Sequence, residues 1–331
     1  MKTLHHIFKA LREAGDTGIH GTEISNNLGI SRAAVWSHIE ELRTLGYHID
    51  AGPHRGYQLI KTPDILLADD ITSQLQADTI VGNTVQIFRQ TASTNQLVDQ
   101  MGLGGVAEGM VVFAESQTEG RGRLGRKWLS PEGKGLWFSL LLRPPLRPAE
   151  MTRLTIIAAT ALARAIRETS GLQPSIKWPN DILINGRKVA GVLTEMSAEP
   201  DRVLHAVIGV GVDVNQEQED FPDELSSVAT SLRIESGRPI LRSDLAVALL
   251  KALNTDYQRI LSGQFQAVAE EWESQCITLQ KRVRIHQMNQ TCVGFAESLD
   301  SEGALMVRTP SGHLERITGG DVILEKEPHT P

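Results

Sequence analysis

The run Gly120-Arg121-Gly122-Arg123-Leu124-Gly125-Arg126-Lys127-Trp128 constrains this chain more than any other stretch. Three glycines let the backbone turn sharply or approach a ligand, while Arg121, Arg123, Arg126 and Lys127 gather four cations within seven residues. In a chain of net charge −7, like-charge repulsion at one spot is relieved by a bound anion such as a phosphate. A solvated basic loop is the plain alternative. The glycines also satisfy G-x-G-x-x-G, but Arg126 to Pro131 does not open a helix. No acid stands about 20 residues beyond Gly125 either, so a dinucleotide-binding turn is excluded. The missing G-K-[ST] excludes a P-loop. Without its anion, a loop of this composition is expected to be mobile.

A chain of 331 residues is expected to hold two or three domains. Its apolar and charged content is that of a soluble globular protein. No stretch of about 18 apolar residues predicts a membrane span, and the N-terminus lacks the apolar core of a signal peptide. Cys276 and Cys292 make neither a disulfide framework nor a metal motif, so a cytoplasmic location is expected. Charge is uneven: residues 1–62 hold seven Lys/Arg and six Asp/Glu, 7 − 6 = +1, which leaves −8 for the rest.

That first segment has a pattern of its own. Leu4, Ile7, Phe8 and Leu11 predict an amphipathic helix from Thr3 to about Glu13. A short helix from Gly21 or Thr22 ends at Gly29, and Ser31 caps a third whose stripe is Val35, Ile39 and Leu42. Two strand-like runs, 47–50 and 57–60, flank a turn that contains His54 and Arg55. Three helices and a wing read as a winged helix-turn-helix, the helix-turn-helix spanning about 22–41. Arg32, Trp36, Ser37 and His38 stand where a groove would be approached, and His54 and Arg55 near phosphate. A helical protein-interaction module is the alternative.

Beyond Lys61-Thr62-Pro63-Asp64 the texture becomes mixed. Thr84 to Arg89 predicts a strand, and Thr91 to Asn95 the start of a helix in which Ser93, Thr94 and Asn95 read as caps or as ligand contacts. Strands at 110–114 and 135–142 bracket the basic loop, and a helix is expected over 151–170. A second informative stretch, Lys177-Trp178-Pro179-Asn180-Asp181, interrupts a strand at its proline and exposes Lys177 on one side and Asn180 and Asp181 on the other. Lys177 reads as ligand-facing or as a plain surface lysine. Asn185-Gly186 predicts a type I′ hairpin. Gly209 and Gly211 inside a long strand mark close backbone approach, with Asp213 and Asn215 on one face. Short alternating strands from Val283 onward predict a small barrel, and the last few residues are expected to fray.

The two motifs, their order, Ser93-Thr94-Asn95 upstream and the winged helix in front resemble, over the whole chain, the bifunctional biotin protein ligase and biotin operon repressor family. The resemblance implies a multidomain α+β fold. It would comprise an N-terminal winged helix-turn-helix (1–62), a central catalytic domain like class II aminoacyl-tRNA synthetases (63–275) and a C-terminal SH3-like β-barrel (276–331). It implies activation of biotin by ATP with Mg²⁺ to biotinyl-5′-AMP, then transfer to a lysine of the biotin carboxyl carrier protein of acetyl-CoA carboxylase. The adenylate would also favour a homodimer that binds operator DNA and represses the biotin operon.

Residue by residue, it places Ser93, Thr94, Asn95, Gln117, Arg121, Gly122, Arg123 and Lys177 around biotin, with Lys177, Arg121 and Arg123 as catalytic cations. Arg126, Trp128, Asn180, Asp181, Asp213 and Asn215 fall on the nucleotide side, and Ser31, Arg32, Trp36, Ser37, His38, His54 and Arg55 on DNA. Two positions depart from the family pattern. Leu124 stands where some repressor-type members carry arginine, and Asp213 where asparagine is common, exchanging an amide for a carboxylate. A lipoate or octanoate ligase, a regulator that only senses its ligand, and a ligase without repression are the competing readings.

Overall fold

The computed structural model describes residues 3–52, 54–287 and 290–325. Pro53 of the wing and the tail expected to fray, 326–331, lie outside the described residues. The chain forms two units, one running to Thr79 and taking in Leu241–Val247, the other holding Ile80–Ile240 and the residues from Ala248 on.

In the first unit, helices α1 (Thr3–Ala14), α2 (Gly21–Leu28) and α3 (Arg32–Thr44) precede strands β1 (His48–Gly52) and β2 (Gly56–Lys61) and helix α4 (Ala68–Ser73). The predicted stripes form its core: Ile7, Phe8 and Leu11 pack with Ile24, Val35, Ile39 and Leu42. Gly29 ends α2 in the left-handed region, φ 64°, which a side chain would strain. Ser31 Oγ accepts from Ala34 N at 3.1 Å and caps α3. Ile19 bridges to Tyr57 of the wing, and a Cβ at Gly56 would lie 2.2 Å from the Ile19 carbonyl oxygen. The turn before α2 and the wing therefore sit backbone against backbone.

The second unit is built on a seven-stranded sheet. Its elements are β3 (Thr84–Thr91), α5 (Thr94–Leu103), β4 (Met110–Gln117), β5 (Gly135–Leu142), α6 (Thr152–Ser170), β6 (Ser175–Lys177), β7 (Asp181–Ile184), β8 (Arg187–Ala198) and β9 (Val203–Asp213). The order is β3-β4-β5-β9-β8-β7-β6, parallel between β3 and β4 and antiparallel elsewhere. The β3–α5–β4 unit brings the first turn of α5 and the end of β4 to one carboxyl edge, where α/β sheets hold ligands. Helix α5 lays Val98 against Val112, Leu141 and Val207 on one sheet face, and α6 buries its long apolar stripe. Every residue of β5 is buried, as a run apolar but for Ser139 demands. The β7–β8 turn has φ of 51° at Asn185 and 79° at Gly186, the predicted type I′ geometry.

Helices α7 (Leu232–Ser236), α8 (Arg242–Leu261) and α9 (Phe265–Gln275) lead into β10 (Lys281–His286), β11 (Thr291–Leu299), β12 (Leu305–Arg308), β13 (Leu314–Ile317) and β14 (Asp321–Leu324). These strands form a five-stranded antiparallel sheet ordered β13-β12-β11-β10-β14. The small C-terminal β domain is present as expected, with β13 and β14 at the two ends of its hydrogen-bonded order.

Candidate active site

The site occupies the sheet face that carries α5. Gly209 and Gly211 of β9 and Gly191 of β8 share this face, since Gly191 pairs with Gly211 and Leu193 with Gly209. A Cβ at Gly209 would lie 2.0 Å from Asn95 Oδ1, and one at Gly211 2.6 Å from the Trp128 ring. Gly209 and Gly211 thus leave a bare strip of strand on which Asn95 and Trp128 lie directly, the close approach that their place in the sequence predicted.

At the Gly209 end stands a cluster of hydroxyls and carboxamides with the Glu195 carboxylate at its edge. Ser93 begins α5 without a side-chain cap bond, so capping does not account for it. Thr94 N and Oγ1 donate to Gln117 Oε1 at 2.8 and 3.1 Å, which turns Gln117 Nε2 toward Ser130 Oγ, 3.0 Å away. Ser139 Oγ lies 2.5 Å from Asn95 Oδ1 and 2.8 Å from Thr94 Oγ1. Asn95 Nδ2 donates to Glu195 Oε2 at 2.6 Å.

At the Gly211 end the charges gather. The basic loop closes on itself through Gly122 N to Arg126 O (2.7 Å) and Trp128 N to Gly120 O (2.8 Å), with Leu124 and Gly125 at φ 57° and 73°. Arg123 donates to Asn180 Oδ1 at 3.1 Å, and Arg126 pairs with Asp321 of β14. These contacts join the loop to the KWPND segment and to the C-terminal sheet. Burial pulls Arg123 below the usual guanidinium range, Asp321 and Asp181 act against that, and Arg126 adds to it. Trp128 meets Trp137 edge-on at 6.3 Å, and Lys188 Nζ stands 5.2 Å above its ring. Indole N–H groups of both tryptophans are buried without a hydrogen-bond partner among the described residues.

Sequence reasoning passed over Lys188. It follows a turn and reads as a surface cation. A β-bulge decides otherwise: Ile182 pairs with Ala190 and Leu183 with Lys188, so Val189 is the extra residue and Lys188 shares the site face. Its Nζ lies 2.6 Å from Asp181 Oδ1. Lys177 pairs with Asp181 in register, half-buried at the end of β6, next to the cis Trp178–Pro179 bond. Ser130, Ser139, Glu195 and Asp321 were also missed. Of these, Ser139 had a readable signal, as the one hydroxyl within an apolar strand.

The four remaining nucleotide-side candidates divide. Asn180 joins Arg123 and also donates to Val192 O at 2.9 Å, while Asp181 is engaged by Lys188. Asp213 lies beyond Gly211 on the same face, accepts from Gln216 Nε2 at 2.5 Å, and is held by burial well above the usual carboxylate range. Asn215 is buried with both ends of its amide on Ile240, donating to O at 2.8 Å and accepting from N at 3.0 Å. The structure gives it a role in pinning the chain after β9.

In the first unit, Arg32, Trp36 and Ser37 are exposed along α3, Trp36 at 57%. His38 lies 3.4 Å from Glu41, and Ser31 serves as the cap. His54 and Arg55 are exposed at the wing tip. Arg32 and Trp36 line an open concavity of about 650 Å³ with His20, Thr22, Gly52 and Tyr57.

A winged helix-turn-helix and a mixed-sheet domain with a polar cluster beside a basic loop define a class, a multidomain α+β protein carrying a helix-turn-helix module. Residues 87–213 match the Biotin/lipoate A/B protein ligase family, residues 3–58 an HTH domain and residues 278–325 the Biotin protein ligase C terminal domain. The chain is 40% identical over 318 residues, 96% of its own length and 97% of the relative's, to the Bifunctional ligase/repressor BirA of Bacillus subtilis. It is 29% identical to the protein of that name from Escherichia coli, over 92% of each. The biotin protein ligase from Aquifex aeolicus solved with biotin and ATP superposes with a TM-score of 0.62 at 28% identity, covering 74% of this chain and 99% of that one. The chain belongs to the biotin protein ligase family, in its bifunctional ligase/repressor form.

Proposed function

We propose that the protein activates biotin with ATP to biotinyl-5′-AMP and passes the biotinyl group to a lysine of the biotin carboxyl carrier protein of acetyl-CoA carboxylase. One observation carries this: a glycine-bared strip of sheet with the Thr94–Gln117 hydrogen-bonding groups at one end and cations at the other. Ser93, Thr94 and Gln117 suit a ureido ring, which is costly to bury unpaired, and the sheet receives the acyl chain. The acid's carboxylate oxygen attacks the α-phosphorus, the bond to the bridging oxygen breaks, and pyrophosphate leaves. Lys177, Lys188, Arg121 and Arg123 are the cations that would hold the two anions together and stabilise the added charge. The carrier's lysine amine then attacks the acyl carbon and releases AMP.

Among the described residues no three metal-binding side chains converge. Asp181 is engaged by Lys188 and Asp213 by Gln216, so the described residues form no magnesium cage. Mg²⁺ would arrive on the nucleotide's phosphates. We assign 1–62 to operator binding, 63–275 to catalysis and 276–331 to the C-terminal domain, in a cytoplasmic protein that dimerises on its adenylate and then represses the biotin operon. Arg121, Gly122, Arg126 and Trp128 line the adenylate in this reading.

ATP–pyrophosphate exchange tests it, with biotin, lipoate and octanoate offered separately. Exchange with biotin alone is expected. Lys177→Ala and Lys188→Ala are each expected to cut it about a hundredfold, as loss of a transition-state cation does. Exchange driven by lipoate or octanoate would reassign the pocket, and none with any acid would leave a ligand sensor.

A further inference from the structure

Ser139 is fully buried in the middle of β5. A buried hydroxyl needs a partner, and this one reaches Asn95 Oδ1 at 2.5 Å. Ser139 pairs across the sheet with Gly209, and Gly209 with Leu193, so β5, β9 and β8 present one row. The Asn95 carboxamide lies across that row, against the bare backbone of Gly209 and only 6% exposed. Its nitrogen meets Glu195 on β8 at 2.6 Å. A carboxylate accepts and never donates, so Glu195 decides which end of the carboxamide is nitrogen and leaves the oxygen facing Ser139.

The resemblance groups Asn95 with the ligand contacts, yet both ends of its side chain are engaged by the sheet. We infer that Asn95 is a positioning residue, with Ser139 and Glu195 as its holders. Together they pin the first turn of α5 so that Ser93, Thr94 and Gln117 face the head group of the acid. Thr94 shares in this, because its N–H sets the orientation of Gln117. The inference rests on the ligase reading above and deepens it.

Reversing the donor and acceptor tests it in the full chain. Asn95→Asp opposes two carboxylates and is expected to raise the biotin KM at least tenfold in pyrophosphate exchange, leaving the ATP KM in place. Adding Glu195→Gln gives the carboxylate a donor again and is expected to return the biotin KM to within about threefold of the parent. A double variant as defective as Asn95→Asp overturns the inference, since a lost ligand contact is not restored from β8. Glu195→Ala, at an exposed position, reads the same device if Asn95→Asp fails to fold: a biotin KM raised about fivefold supports it, and an unchanged one overturns it. A parent protein without biotin-dependent exchange would instead remove the ligase reading itself.

Discussion

Asp213 is a residue whose chemistry departs far from solution. Burial raises its carboxyl well above the usual range, with Lys188 and Gln216 acting against that. A carboxyl that keeps its proton longer folded than unfolded contributes stability fully below the unfolded value of about 4 and loses it as pH rises toward the folded value. Asp213→Asn removes this titration while an amide oxygen still accepts from Gln216. Its melting temperature relative to the parent's is therefore expected to climb as pH rises above about 4, and a difference independent of pH would refute the assignment. At this scale the sequence was only partly legible. Ser93, Thr94, Asn95 and Gln117 do cluster, and the strand glycines do lie under other residues. Lys188 escaped because nothing local announces an extra residue in a strand, and a one-residue slip moves a side chain to the opposite face.

Among the elements, the basic loop is the one that joins parts of the fold. Arg123 holds it to Asn180, Arg126 to Asp321, and Trp128 seats it on Gly211. Asp321→Asn is expected to speed proteolytic cleavage within residues 121–127 several-fold in the ligand-free protein, with biotin and ATP together restoring protection. Unchanged cleavage would mean that Trp128 alone seats the loop. The loop's tie to β14 could not be read from the chain, since the partners stand almost 200 residues apart and an aspartate after two glycines reads as a turn. Helix-turn-helix elements were legible nearly to the residue, because Gly29 and Ser31 mark local backbone requirements that no distant contact overrides.

For the molecule as a whole, the proposal joins an enzyme to a DNA-binding unit through one product, the adenylate. Arg32→Ala and Trp36→Ala are each expected to weaken binding to operator DNA about tenfold while biotin-dependent exchange is unchanged, and biotin with ATP is expected to tighten DNA binding by the parent. An effect of either variant on exchange would argue against separate duties. Of the five tryptophans, Trp137, Trp178 and Trp272 are at most 1% exposed, which leaves Trp36 on the recognition helix and Trp128 at the ligand loop. Each activity therefore has an indole of its own, set beside three buried ones that also emit. Emission from Trp128, lying beneath the Lys188 ammonium, reports the loop, and emission from solvent-facing Trp36 reports the groove, so one unlabelled sample carries an optical record of both.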